Sequence, residues 1–368
     1  MRKGGLFIGC LIFFIQVTSC KKDKPKDKQD TSFDKKEMLI SFSDKVIIPS
    51  LNDLMASTEN LSTQSDKFAD NPTAANLDSL RASWKATHVA FLYCHSFNYG
   101  PGEKPIIGMM AENIGIWPAN TVRIEERIQT NNTNFTADFE RDTRGFMALD
   151  YLLYENNSAN SLINGTEPNR MNYLLAVVEH IRSWVSGVHS GWTTGGYRTT
   201  FINNDGKDVG SSIGMIYNEF LKSYEAIKNF KLGLPAGKRA GQTQTEPTRV
   251  EAYYSGLSNY FIKEHLKAVE NLWRGRSKLG EDGIGFDDWL ASLKDGANLK
   301  TTTEQRFAIL AEETAKLGND ERLSDLIIND LNRVELLYEE YAETTRFIKS
   351  DLSSLIGIAI TFSSGDGD

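Results

Sequence analysis

The sequence predicts an all-α protein made of two helical bundles of about four helices each. Apolar residues recur at spacings of three and four over most of the chain, and no segment shows a persuasive alternation of apolar and polar residues. Gly-rich stretches separate the periodic segments, as loops separate capped helices. We therefore expect bundles at residues 33–200 and 201–368, joined by long Gly-rich loops.

Residues 1–19 have the features of a lipoprotein signal peptide. Two basic residues precede an apolar run from Leu6 to Val17, which is too short to span a bilayer comfortably. The following Thr18-Ser19-Cys20 resembles the end of a bacterial lipobox, which implies that Cys20 is acylated. Ordinary cleavage to a soluble secreted protein is the alternative.

Residues 20–32 are predicted to be a lipid-proximal tether, because a mixed-charge segment of this kind cannot bury a core. The lipid on Cys20 makes the membrane itself a partner, since each buried methylene contributes about 0.8 kcal/mol. We expect the mature protein at the bacterial cell envelope, anchored most simply to the outer membrane. Whether it faces the periplasm or the cell surface is left open.

The charge balance bears on the class of partner. The chain has 41 Lys+Arg against 49 Asp+Glu, a net charge of −8, and the signal peptide contains two of the basic residues. An acidic protein lacks the basic surface that nucleic acid requires. Nucleic acid is therefore not expected as a partner.

Helices begin directly after the tether. Residues 33–68 are predicted to be helical with a kink or break at Pro49, and Thr73 is expected to cap the next long helix. His88 and His95 share the apolar stripe of that helix. They lie two turns apart, too far to bind one metal ion together. We expect each to be a hydrogen-bonded histidine of the core or of an interface.

The stretch from Thr143 to Tyr154 carries the candidate site. Thr143 is expected to cap a helix, on which Met147 and Asp150 lie on one face, three positions apart. A thioether ligand suits Cu(I) and few other metals. We therefore favour a Met147 that fills the core and an Asp150 carboxylate held by hydrogen bonds over a metal site at this pair.

The second half of the sequence is also helical. The Gly-, Asn- and Asp-rich residues 190–210 are predicted to connect the domains, and a helix follows at 211–230. Ser258 is expected to cap a helix that ends at Trp273. Glu251, just before it, is a candidate pocket carboxylate, and pairing with the helix dipole is the alternative.

The motif of this helix resembles a known signature. Gly145 to Asp150 resembles the G-x-H-x-x-E of the imelysin-like family, with Met147 in place of the histidine and Asp150 in place of the glutamate. Segments resembling other family blocks occur in the same order along the chain. They are Phe97-Asn98-Tyr99-Gly100-Pro101, Ile116-Trp117-Pro118 and Ser255-Gly256-Leu257-Ser258.

The resemblance implies an all-helical, two-domain protein that is exported or lipid-anchored, associated with iron uptake and labelled as a peptidase. It also implies a functional cleft between the domains. Trp117 is a candidate lining residue there, with a role as a hydrophobic cap of the bundle as the alternative. Matched residue by residue to the family blocks, the other candidates are Gly145, Met147, Asp150, Glu251 and Ser255.

We expect a binding protein rather than an enzyme. A metallopeptidase needs a metal that activates water and a base within reach. The five histidines form no H-E-x-x-H, and the histidine of the family signature is absent. No catalytic residue, metal or cofactor is therefore predicted.

The favoured function is a lipid-anchored envelope component of iron or haem acquisition that uses the interdomain cleft. Its expected protein partner is an outer-membrane iron or haem uptake receptor. A metallopeptidase of the imelysin type with a non-standard metal site and a structural subunit of an outer-membrane complex are the alternatives.

Overall fold

α-Helices make up nearly all of the regular structure of the protein. The computed structural model describes residue 1 and residues 33–104, 108–136 and 138–362. Two short strands, β1 (Glu103–Lys104) and β2 (Gly108–Met109), pair antiparallel. The all-α class is confirmed. The α-helices are α1 (Lys35–Ser41), α2 (Ile48–Asp70), α3 (Ala74–Cys94), α4 (Met110–Ile114), α5 (Thr121–Gln129), α6 (Phe146–Tyr154), α7 (Asn156–Asn164), α8 (Pro168–Thr193), α9 (Tyr197–Ile202), α10 (Ser212–Glu225), α11 (Ser258–Trp273), α12 (Phe286–Ser292), α13 (Gly296–Ala315), α14 (Leu323–Asn329), α15 (Leu331–Arg346) and α16 (Leu352–Ile356).

The predictions for the N-terminus lie outside the described residues. The signal peptide at 1–19, apart from its first residue, the lipidated Cys20 and the tether at 20–32 all belong to this part. Within the residues that the structure describes, no helix has both the length and the apolar character needed to cross a lipid bilayer.

π-Helical segments extend several of the α-helices. One covers Phe42–Ile47 between α1 and α2, and another, Ala226–Gly233, continues α10. The prediction was a kink or a break at Pro49, and the helix does not break there. Pro49 lies in the first turn of α2, where a missing N–H is tolerated, and the helix runs on to Asp70.

The first half of the chain is organised around α3. Thr73 caps this helix as predicted, because its hydroxyl oxygen accepts a hydrogen bond from the N–H of Asn76. α2 packs against both α3 and α8. The buried Trp84 of α3 donates its indole N–H to the carbonyl oxygen of Phe146 at 3.0 Å, which ties the start of α6 to α3.

The second half is organised around α10 and its π-helical extension. α11 packs against both of these segments and also against α3, while α13 packs against α11 and α15. Polar side chains on the buried α10 meet partners from distant segments. Asn218, for example, donates to the carbonyl of Ala359 and accepts from the N–H of Thr361, which holds the chain beyond α16 against α10.

Contacts between the two halves are extensive. Phe33–Asp368 forms one compact unit, in which α3 packs against α11 and the ring of Phe42 lies 5.2 Å from that of Phe286. The division into bundles at 33–200 and 201–368 stays a prediction.

Two expected helix caps are wrong. The Thr143 hydroxyl donates to the carbonyl of Glu140 at 2.7 Å, and α6 begins after Gly145 instead. The Ser258 hydroxyl donates to the carbonyl of Glu251, and Leu257 precedes the helix. In both cases a nearby loop carbonyl competes for the hydroxyl that a cap would use.

Candidate functional site

The start of α6 needs glycine for two reasons. Gly145 has φ +80°, a conformation that residues with a Cβ rarely adopt. A Cβ at this position would also lie 2.4 Å from the carbonyl oxygen of Ile114. The close approach of α4 therefore fixes the position from which α6 presents its next two turns.

Met147 and Asp150 use their polar atoms to hold a loop between Glu251 and Gly256. The Met147 sulfur accepts the Ala252 N–H at 3.0 Å. The two carboxylate oxygens of Asp150 accept the N–H groups of Tyr254 and Ser255 at 2.9 and 3.0 Å. Ala252 has φ +53°, an unusual conformation for a residue with a side chain. One face of α6 thus acts as a cradle for this loop.

Asp150 is almost completely buried, with 1% of its surface exposed. Burial raises the pKa of its carboxyl group to about 6, although the two backbone N–H donors and the nearby Arg322 oppose the shift. Loss of hydration therefore outweighs the hydrogen bonds in its effect on this carboxylate.

Glu251 points away from the loop and into the core. Its Oε2 lies 2.7 Å from the Lys231 ammonium, and its Oε1 lies 3.1 Å from Nε2 of His88. The first contact is an ion pair. All three side chains are at most 2% exposed. The expected helix-dipole role of Glu251 is replaced by this buried pairing.

The charges of this group depend on each other. Burial tends to raise the pKa of Glu251, but Lys231 and His88 more than offset it and hold that pKa at about 2. Burial lowers the pKa of Lys231, and Glu251 opposes that shift. Burial also lowers the pKa of His88. The arrangement is therefore a charged Lys–Glu pair beside a neutral histidine.

A second group of buried polar side chains lies on the same helices. The Ser223 hydroxyl lies 3.2 Å from Nδ1 of His95 and 2.8 Å from Nε2 of His265, so that it links the two rings. Burial lowers the pKa of both histidines, to about 3 for His95. We call His88, His95, Ser223, Lys231, Glu251 and His265 the buried polar cluster.

A pocket of about 260 Å³ opens beside α6 on the other side of the loop. Apolar and aromatic side chains form most of its wall, and Arg249 and Asp150 are its charged lining residues. We call it the α6 pocket. It is lined by Trp117, Pro118, Ala119, Thr121, Met147, Asp150, Thr248, Arg249, Val250, Ala252, Tyr253 and Tyr254.

Most of the predicted site residues converge here. Trp117, Met147 and Asp150 line the α6 pocket. Ser255 contributes through its backbone N–H to Asp150. The Glu251 side chain is in the buried polar cluster, although its chain neighbours line the pocket.

Sequence reasoning missed Lys231, Ser223 and His265, and the role of Tyr253 and Tyr254 as pocket walls. The sequence does give one indication for Lys231. It lies in a segment with several apolar residues, where a buried basic residue needs a counter-charge. Nothing in the sequence identifies that counter-charge as Glu251.

The residues present do not fit the metal site that the family signature implies. The Met147 sulfur and both Asp150 oxygens already accept backbone N–H groups. Among the described residues, no group of three or more His, Cys, Asp or Glu side chains is arranged to hold a metal ion. The motif face of α6 is thus built to bind the protein's own backbone.

We expect Met147→Leu to lower the free energy of unfolding by about 1–3 kcal/mol, because it leaves the buried N–H of Ala252 without an acceptor. Leucine nearly conserves the volume, so packing alone accounts for little of the loss. Chemical denaturation of the parent and the variant measures the difference.

Met38→Leu is the matched control. Met38 is completely buried in α1, and the same exchange there tests packing without this loop. Equal losses in the two variants would contradict a hydrogen-bonding role for Met147.

A family model and a curated relative match this chain. The family model described as imelysin, which has a peptidase label, matches residues 47–345. The iron-regulated protein A of Synechococcus elongatus is 20% identical over 324 residues, covering 85% of this chain and 79% of that protein.

Two solved structures are similar in fold. One is described as an iron-regulated protein A precursor from Parabacteroides distasonis, with a TM-score of 0.71 at 17% identity over 87% of this chain and 95% of that one. The other is an imelysin-like protein from Psychrobacter arcticum, with a TM-score of 0.69 at 17% identity over 89% and 97% of the two chains. At this identity the likeness shows the fold alone.

Proposed function

Because this chain belongs to the imelysin family, we propose that it is a non-catalytic binding protein of the bacterial cell envelope that serves iron or haem acquisition. Its binding site is the α6 pocket. The observation that carries this proposal is the use of Met147 and Asp150 to hold the loop that forms one pocket wall.

The contacts of α6 support binding over hydrolysis. A metallopeptidase requires a metal-bound water and a base that reaches it. Here the atoms at the signature positions are hydrogen-bonded to the N–H groups of Ala252, Tyr254 and Ser255. If those hydrogen bonds broke so that Met147 or Asp150 could coordinate a metal, the loop that forms the pocket wall would lose its support.

The link to iron rests on the relatives, of which the proteins from Synechococcus and Parabacteroides carry the description iron-regulated. The link to the envelope rests on residues 1–32, in which a short apolar run ends at Cys20 and a charged tether follows. A lipid on Cys20 would hold the folded body at the outer membrane. There it would act beside an iron or haem uptake receptor.

We expect deletion of the gene to slow growth when haem or a ferric complex is the sole iron source. The parent gene should restore growth, and Ala119→Trp should not, because the larger side chain fills the α6 pocket that Ala119 lines. Growth curves under iron restriction measure the effect.

Ala56→Trp is the matched control, since Ala56 is an exposed residue of α2 that does not line the pocket. Thermal unfolding of both purified variants checks that each folds. Full rescue by Ala119→Trp would contradict the proposal. Chelator-sensitive cleavage of an unfolded protein substrate by the purified parent would instead favour the peptidase.

A further inference from the structure

We propose that the α6 pocket binds a small planar aromatic acid, a single ring that carries a carboxylate or a similar anionic group. This inference rests on the proposed function, since it names the ligand class of the same pocket. Three features of the pocket support it: its size and walls, the protein cations close to two of its aromatic rings, and the charge among its lining residues.

The size and the walls suit a single ring. A volume of about 260 Å³ is at the small end for ligand pockets. Trp117, Tyr253 and Tyr254 supply the aromatic surface, and the rings of Tyr253 and Tyr254 stand nearly perpendicular with centroids 5.2 Å apart. A planar ring placed among them gains stacked and edge-to-face contacts that a saturated ring of the same size does not.

Cations of the protein lie close to two of these aromatic rings. The Lys231 ammonium lies 5.7 Å from the centroid of the Trp117 ring, and the Arg322 guanidinium lies 5.6 Å from that of Tyr253. Neither cation is among the residues that line the pocket. Each of these two rings therefore already has a cation of the protein close to it, which weakens its attraction for an organic cation in the pocket.

The charged lining residues favour an anion. The Arg249 side chain is 41% exposed, and its Nη1 bonds to Glu246. Its other N–H groups have no acceptor in the part of the chain that the structure describes. A guanidinium with free donors suits a carboxylate. The opposing Asp150 is only 1% exposed, and both of its oxygens accept backbone N–H groups.

Three probes of similar size separate the contributions. Benzoate, benzylamine and cyclohexanecarboxylate are titrated by calorimetry into the purified full chain. We expect benzoate to bind, cyclohexanecarboxylate to bind more weakly, and benzylamine to give no saturable signal. Benzylamine binding as tightly as benzoate would overturn the inference, as would equal affinity for the two acids.

Arg249→Gln tests the anionic end. We expect it to weaken benzoate binding by about tenfold, which corresponds to about 1.4 kcal/mol. Arg276→Gln is the matched control, because Arg276 is also a partly exposed arginine near one carboxylate, that of Asp282, and lies outside the pocket. Unchanged benzoate affinity in Arg249→Gln would overturn the inference.

The two proposals can fail separately. If no aromatic acid binds while Ala119→Trp still fails to restore growth on iron complexes, the ligand class is wrong and the proposed function stands. If benzoate binds as expected while Ala119→Trp supports full growth, the pocket chemistry is right and the role in iron acquisition is wrong.

Discussion

Replacing Glu251 with glutamine is expected to lower the free energy of unfolding by about 3–5 kcal/mol, as for other buried ion pairs that lose one member. The carboxylate contacts Lys231 at 2.7 Å and His88 at 3.1 Å, and no more than 2% of any of the three side chains is exposed. Glutamine leaves the Lys231 ammonium buried without a counter-charge. Denaturant titration of the parent and the variant gives the difference.

The same exchange on the surface is the control. Lys238 and Glu335 form an ion pair of 2.6 Å whose side chains are 31% and 32% exposed, so Glu335→Gln should cost at most about 1 kcal/mol. The double variant Lys231→Met with Glu251→Leu should recover much of the loss, because it removes both charges. A loss in Glu251→Gln no larger than in Glu335→Gln would show that the buried pair does not act as described.

The protein is expected to lose stability steeply as the pH falls below about 6.5, the ordinary pKa of an unfolded histidine. Burial lowers the pKa of His88 and of His265 in the folded state. As the pH falls, these histidines therefore bind protons in the unfolded state before they do so in the folded state. Stability from these groups is therefore complete above the unfolded pKa and declines as the pH falls. Each buried histidine that stays neutral in the folded state adds at most about 1.4 kcal/mol per pH unit to this decline.

Other groups modify that slope in known directions. His95, whose pKa falls to about 3, adds to it, although its ring is partly exposed. Asp150 opposes it, because its pKa is raised to about 6 and the folded state takes up this proton first as the pH falls. The contribution of Asp150 is present at low pH and is lost as the pH rises through about 6.

Comparison of two histidine variants isolates the cluster. His265→Gln should reduce the slope of stability against pH by about 1.4 kcal/mol per unit, the contribution of one proton. His189→Gln is the control, because His189 lies on α8 outside the buried polar cluster and contacts Asn52. Chemical denaturation at pH 7, 6 and 5 provides the slopes. Equal slopes in the two variants would contradict the assignment.

The local features of the fold were predictable from the sequence. The spacing of apolar residues identified the long helices, and the cap at Thr73 was read correctly because a helix cap involves residues only a few positions apart. The caps at Thr143 and Ser258 were wrong. The Thr143 hydroxyl donates to the carbonyl of Glu140 in the turn before α6, which competes locally with a cap. The Ser258 hydroxyl donates to the carbonyl of Glu251, seven positions earlier, whose place depends on how the intervening loop packs.

The site was predictable only in part. Helical spacing placed Met147 and Asp150 on one face and favoured a core methionine and a hydrogen-bonded carboxylate, as observed. The partners of these atoms are backbone N–H groups, which every residue except proline possesses. No residue type therefore marks Ala252 or Tyr254 as a partner.

By itself, the sequence determined the helical class and the membership of the imelysin family, because these follow from spacing and residue type. Only the tertiary structure decided that Met147 and Asp150 hold a loop more than a hundred positions away, and that Lys231 neutralises Glu251. Such pairings form when packed helices exclude water. A buried charge or N–H group is then stable only if the fold places a suitable partner beside it.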